Sequence, residues 1–70
     1  MTTIVKKQLN ENYYITLEIK NGYYGSYYEV QACPRYDECR CGNPIRSIVY
    51  GIDEKKNALA TFNRYKRKYV

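Results

Sequence analysis

The seventy-residue chain predicts one α+β domain, residues 1–70, built as a three- or four-stranded antiparallel meander with one C-terminal helix packed on one face. Three observations lead there. Tyr13, Ile15, Leu17 and Ile19 alternate with Tyr14, Thr16, Glu18 and Lys20, the period of a half-buried strand. Asn21-Gly22 follows at once, and a second apolar strand returns behind it, which reads as a hairpin because both residues tolerate positive φ. Beyond Asp53 the apolar spacing changes: Ala58, Leu59, Phe62, Tyr65 and Tyr69 fall on one side of a helix.

Taken in order, residues 2–9 read as a first strand whose lysines suit a sheet edge, where charge discourages pairing with other chains. Val5 and Leu9 share a face with Lys7 in an uninterrupted strand. Residues 13–20 form the second strand, with Tyr13, Ile15, Leu17 and Ile19 facing the core. The third runs from Tyr23 to about Cys33. A loop follows over 34–44, bracketed by Pro34 and Pro44 and containing Gly42-Asn43. Residues 45–50 form the last strand, with Ile45 and Val49 competing against Ile48 and Tyr50 for the inward face. Asp53 is the expected N-cap, Glu54 suits the positive end of the helix, and basic residues collect at its C-terminus.

Six of the ten tyrosines come as adjacent pairs: Tyr13-Tyr14, Tyr23-Tyr24 and Tyr27-Tyr28. In a strand, neighbouring side chains point to opposite faces, so each pair offers one ring to the core and one to the outside. A loop of Asn21-Gly22 alone sets Lys20 opposite Tyr23, Ile19 opposite Tyr24, Thr16 opposite Tyr27 and Ile15 opposite Tyr28. The inner face then receives Tyr24, Ser26, Tyr28, Val30 and Ala32. Tyr14, Tyr23 and Tyr27, with Thr16 and Lys20, go to the outer face. A bulge at Gly25 would move Tyr23 and Tyr24 to the opposite sides. Exposed rings on a sheet stack on unpaired bases or anchor a protein interface, and cross-strand aromatic pairs also stabilise a sheet without any partner.

Composition narrows the function. Twelve Lys and Arg against seven Asp and Glu give +5, which suits nucleic acid, an acidic protein surface or solubility. Histidine is absent, and with it the commonest general base and neutral metal ligand. So small a chain has little room for a walled cleft, and no nucleophile–base pair or phosphate-cradling glycine loop is recognisable. A non-enzymatic module with no cofactor is expected. Met1 leads into a polar, charged segment and no apolar run of roughly 18 residues occurs, so the expectation is a cytoplasmic protein without a membrane span. Cys33, Cys39 and Cys41 lie in a segment that resembles part of a metal knuckle, but three thiols fall one ligand short of a structural zinc site. Asp37, Glu38 or a second chain would have to supply the fourth ligand; the plainer reading is reduced loop cysteines. At the helix end, Arg64, Lys66 and Arg67 stand with Lys68 as candidate phosphate contacts, and the same cations also complement the helix C-terminus.

The last strand and helix, Ile-Val-Tyr-Gly-Ile-Asp-Glu-Lys-Lys-Asn-Ala-Leu-Ala-Thr-Phe, resemble the arm-type DNA-binding domains of tyrosine integrases at Tyr50, Asp53, Lys56, Ala58 and Phe62. Such domains lay a three-stranded sheet in the major groove. The resemblance implies contacts from Tyr14, Thr16, Lys20, Tyr23, Tyr27 and Arg46 on the outer face. The cysteine loop, the first strand, and Glu18 and Glu29 on that face depart from the pattern, and no integrase catalytic domain is expected after Val70. The leading expectation is therefore a nucleic-acid-binding module associated with a mobile element. The alternative is a protein-interaction module, an inhibitor or adaptor that docks through the tyrosine face.

Overall fold

A computed structural model describes residues 2–35 and 45–70. Four strands, β1 (Thr2–Leu9), β2 (Tyr13–Gly22), β3 (Gly25–Pro34) and β4 (Arg46–Gly51), form one antiparallel sheet in the order β1-β2-β3-β4. One helix, α1 (Lys55–Lys68), packs across β2, β3 and β4. The predicted fold class is the observed one, with the larger of the two strand numbers. Most of the predicted 34–44 loop, including Cys39 and Cys41, lies outside the described residues.

The core sits between the helix and one sheet face, here the inner face. Ile15, Leu17 and Val30 are fully buried, and Tyr28 and Ala32 join them from the sheet. From α1 come Ala58, Phe62 and Tyr65, with Leu59 and Tyr69 packed at the margin. Each fully buried Ile, Leu or Val side chain contributes roughly 1.5–3 kcal/mol. The inward face of β4 is settled in favour of Ile48 and Tyr50, which pair with Val30 and Tyr28. Ile45 and Val49 are left about half exposed. The Tyr50 hydroxyl lies 2.6 Å from Thr61 Oγ1, so the buried Thr61 hydroxyl has a partner.

The hairpin differs from the expected register. Gly22 pairs with Gly25, and the two-residue loop is Tyr23-Tyr24 rather than Asn21-Gly22. The ladder therefore pairs Leu17 with Val30, Ile15 with Ala32 and Ile19 with Tyr28. In the expected register Leu17 would have faced Ser26, leaving a hydroxyl beside the best-buried leucine. Matched apolar rows beneath the helix outweigh the local preference of Asn-Gly for a turn. No non-glycine residue among those described has positive φ, so the turn is not the doubly left-handed type that Asn-Gly favours. Gly25 instead takes φ +126° at the turn's exit. Because the displacement is even, Tyr28, Val30 and Ala32 still face inward and Tyr27, Glu29 and Gln31 outward. Tyr24, expected in the core, and Tyr23, expected on the outer face, both move to the hairpin tip.

β1 is an edge strand with a bulge between Ile4 and Lys6. The bulge takes Val5 out of register, so only Lys7 and Leu9 of the three expected face-mates lie opposite the outward residues Thr16 and Tyr14. The N-cap is Glu54, one residue later than expected. Glu54 N donates to Gly51 O at 2.9 Å, and Gly51 N donates to the Glu54 carboxylate at 2.9 Å, so the tight turn closes on Glu54 and leaves Asp53 within it. At the other end, Asn10 Nδ2 donates to Lys66 O at 2.9 Å and Tyr69 O at 2.5 Å, and Asn12 Nδ2 donates to Val70 O at 3.3 Å. The β1–β2 turn thereby satisfies carbonyls that the end of a helix leaves without partners.

Candidate nucleic-acid interface

The outer sheet face is a grid of cross-strand rows. Lys20 pairs with Tyr27 and Tyr27 with Gly51; Ile4, Glu18, Glu29 and Val49 form the next row; Lys7, Thr16, Gln31 and Ser47 form the third. Leu9, Tyr14 and Cys33 follow. The centre of this face is acidic, since Glu18 and Glu29 stand directly opposite each other. Lys20 Nζ lies 2.9 Å from Glu29 Oε1, while Gln31 Nε2 and Ser47 Oγ each donate to Glu29 Oε2 at 2.6 Å. Burial pushes the Glu29 carboxyl up, but the hydrogen bonds from Ser47, Gln31 and Lys20 outweigh it and hold the group below the usual carboxylate range. The bond to Glu29 raises the Lys20 ammonium above its ordinary value against the opposing effect of burial.

The structure separates the residues that the sequence placed on one surface. Tyr14 is only 6% exposed; it lies between Leu9 and Cys33 in the sheet, with Lys7 Nζ 5.0 Å from its ring centre. Tyr27 is half-buried, its ring edge lying where a Cβ on Gly22 would be 3.0 Å away. Lys20 is committed to Glu29. Arg46, expected on the outer face, pairs with the inward residue Ala32 and so lies on the helix side, beside Tyr69. Hydrogen bonding to Tyr69, and the charge that Tyr69 and Tyr65 gain only when ionised at high pH, raise the Arg46 pKa. Cys33 is buried, and no group of three potential metal ligands occurs among the described residues.

The cations concentrate on the helix. Six of the twelve Lys and Arg lie in α1, which contains no Asp or Glu, so the helix carries +6. The other six cations and all seven acidic residues leave the rest of the chain at −1. Lys55, Lys56, Arg64, Arg67 and Lys68 are exposed, whereas Lys66 is half-buried beside the β1–β2 turn that binds its carbonyl. None of the six forms an ion pair among the described residues. Arg64 lies 5.8 Å over Tyr65 and Lys68 5.5 Å over Tyr69, contacts that steady the side chains without neutralising them. Lys56 and Arg67 lie eleven residues apart on the outward side, about 16 Å along the axis.

Sequence reasoning located Arg64, Lys66 and Arg67 but passed over Lys55 and Lys56. The signal was available: a run of fourteen residues with no carboxylate is unusual for an exposed helix, where Glu–Lys pairs at i,i+4 are the ordinary stabilising device. No helix among the described residues is long and apolar enough to cross a membrane. Comparison with family models, curated proteins and solved structures finds no match.

Proposed function

We propose that this protein is a non-enzymatic nucleic-acid-binding module that holds the phosphate backbone along the outward face of α1. The observation that carries this reading is the segregation of charge, +6 on the helix and −1 elsewhere. Folding does not account for the whole pattern. Cations near the last turn complement the helix dipole, but Lys55 and Lys56 sit in the first turn, where the dipole disfavours them. Arg64 also has cations three and four residues on, Arg67 and Lys68, and like-charge pairs at those spacings destabilise an isolated helix by about 0.2–0.5 kcal/mol each. A polyanion would relieve both costs. The sheet-in-groove contact that the arm-type resemblance implies is less suited to this chain, because Glu18 and Glu29 occupy the centre of the outer face.

Fluorescence anisotropy with labelled oligonucleotides over a range of salt tests the proposal. Affinity is expected to fall linearly on a log–log plot, and K56A/R64A/R67A to flatten the slope by about 2 for single strands. Absence of binding at low salt, or an unchanged slope in the triple variant, would overturn it.

A further inference from the structure

Tyr23 and Tyr24 form the two-residue tip of the β2–β3 hairpin and are 95% and 97% exposed. Their rings meet edge to face, with centroids 4.9 Å apart at 79°, and among the described residues this is the only ring contact either makes. Gly22 and Gly25 flank them, so no neighbouring side chain shields them, and a Cβ built on Gly25 would have nothing within 4 Å. Both tyrosines keep negative φ, so the turn has no backbone need for Asn, Asp or Gly at these positions, and none for an aromatic ring. Two rings that could each bury on the order of 150–250 Å² are instead held in water. They add nothing to the core and the turn does not require them, so folding alone gives no reason for two exposed rings here.

The tip and the first turn of the basic helix share one end of the molecule, while Arg64, Lys66, Arg67 and Lys68 lie toward the β1–β2 turn at the other. Tyr27 pairs with Gly51, and the Gly51–Glu54 turn leads directly into Lys55 and Lys56. Tyr24 stands three residues from that row, projecting roughly 10 Å beyond it. Glu54 accepts from Gly51 N and Asn57 Nδ2 but keeps its charge, so Asp53 and Glu54 balance the two exposed lysines of that turn, and the excess positive charge begins further along α1. Flat aromatic faces beside cations fit a ligand that pairs planar rings with phosphates. Bases inside a duplex are already stacked on one another; unpaired bases are free to stack on protein rings.

We infer that the nucleic acid held along α1 is single-stranded and that its unpaired bases stack on Tyr23 and Tyr24. This rests on the backbone-binding role of α1. The helix supplies salt-dependent affinity without regard to sequence, and the tip supplies selectivity for unpaired strands.

The test compares one labelled sequence as a single strand, as a duplex and as an abasic single strand that keeps its phosphates. The wild type is expected to prefer the single strand. Y23A/Y24A is expected to weaken single-strand binding roughly ten- to hundred-fold with an unchanged salt slope, and to leave duplex and abasic binding as they were. Y23F/Y24F, which keeps the rings, should retain wild-type affinity. Equal affinity of wild type and Y23A/Y24A for the single strand would overturn the inference while leaving the α1 reading intact. Equal wild-type affinity for abasic and base-bearing strands would do the same. Binding of anionic lipid vesicles that Y23A/Y24A abolishes, with single-strand affinity untouched, would assign the tip to a membrane surface instead. Flattening of the salt slope in K56A/R64A/R67A reports separately on the helix.

Discussion

Lys20 Nζ lies 2.9 Å from Glu29 Oε1, and this pair links two neighbouring rows at the centre of the outer sheet face. It reduces the repulsion between Glu29 and Glu18 directly opposite, and it removes from that face a cation that would otherwise meet phosphate. Among the outward residues of the described strands Lys7 remains without an ion pair, while the larger concentration of unpaired cations lies on α1, across the sheet from Lys20.

The pair makes stability depend on pH at both extremes. Glu29 is held below its ordinary pKa in the folded protein, so its contribution is present above the unfolded value, near 4.3, and is lost as pH falls through the lower folded value. Lys20 is raised, so its contribution is present below about 10.4 and is lost as pH rises through the higher folded value. Urea unfolding of wild type and Glu29→Gln at neutral and acid pH checks this. The variant should lose less stability on acidification than the wild type.

Asn10→Ala removes two hydrogen bonds to the end of α1, those to the carbonyls of Lys66 and Tyr69. The expected loss is about 1–2 kcal/mol with an unchanged urea m-value. Amide exchange should report the change as faster opening of the last helical turn, since β2 and β3 do not depend on this bridge.

Tyr50→Phe breaks the 2.6 Å contact with Thr61 and is expected to cost about 0.5–1.5 kcal/mol. The partner is buried, so part of that cost is the unsatisfied Thr61 hydroxyl. A double-mutant cycle with Thr61→Val should show favourable coupling between the two positions, and additive effects would refute the link.

Gly25→Ala has free space for the methyl group, so its entire cost is the backbone at φ +126°. A loss of about 1–3 kcal/mol is expected, seen as a lower midpoint in thermal or urea unfolding. Ser26→Ala, next to it, loses only an exposed bond to Asn21 and should change stability far less.

Lys55→Glu and Lys56→Glu separate folding from function. Acidic residues in the first turn suit the helix dipole and should raise stability by about 0.3–1 kcal/mol each. The same substitutions should weaken oligonucleotide binding. A variant that is more stable and also binds as well as the wild type would show that these lysines take no part in the interface.

Much of this fold is legible in local pattern, because alternation and helical spacing state directly which residues are apolar together. Ile15, Leu17, Val30, Ala58 and Phe62 are core residues on pattern alone, and the strand and helix boundaries follow within one to three residues. The site is less legible. The expected tyrosine face depended on the turn position, and the turn is decided by contacts far apart in sequence. Pairing Leu17 with Val30 rather than Ser26 brings two fully buried side chains together beneath α1, a gain that Asn21-Gly22 cannot express locally. Arg46 could not be assigned a face until Ile48 and Tyr50 were seen to pack on the helix, which carries Arg46 to the same side.

By itself, then, the sequence determined the α+β class, the inward residues of β2 and β3 and the carboxylate-free helix, because each depends on period and composition. Tertiary structure decided which tyrosines are exposed. Tyr14 is buried in the sheet, Tyr27 lies over Gly22, and among the described residues only Tyr23 and Tyr24 stand almost wholly in water. The reason is geometric: an even shift of the hairpin preserves every face while changing which residues form its tip, and only packing against the helix distinguishes one even register from another.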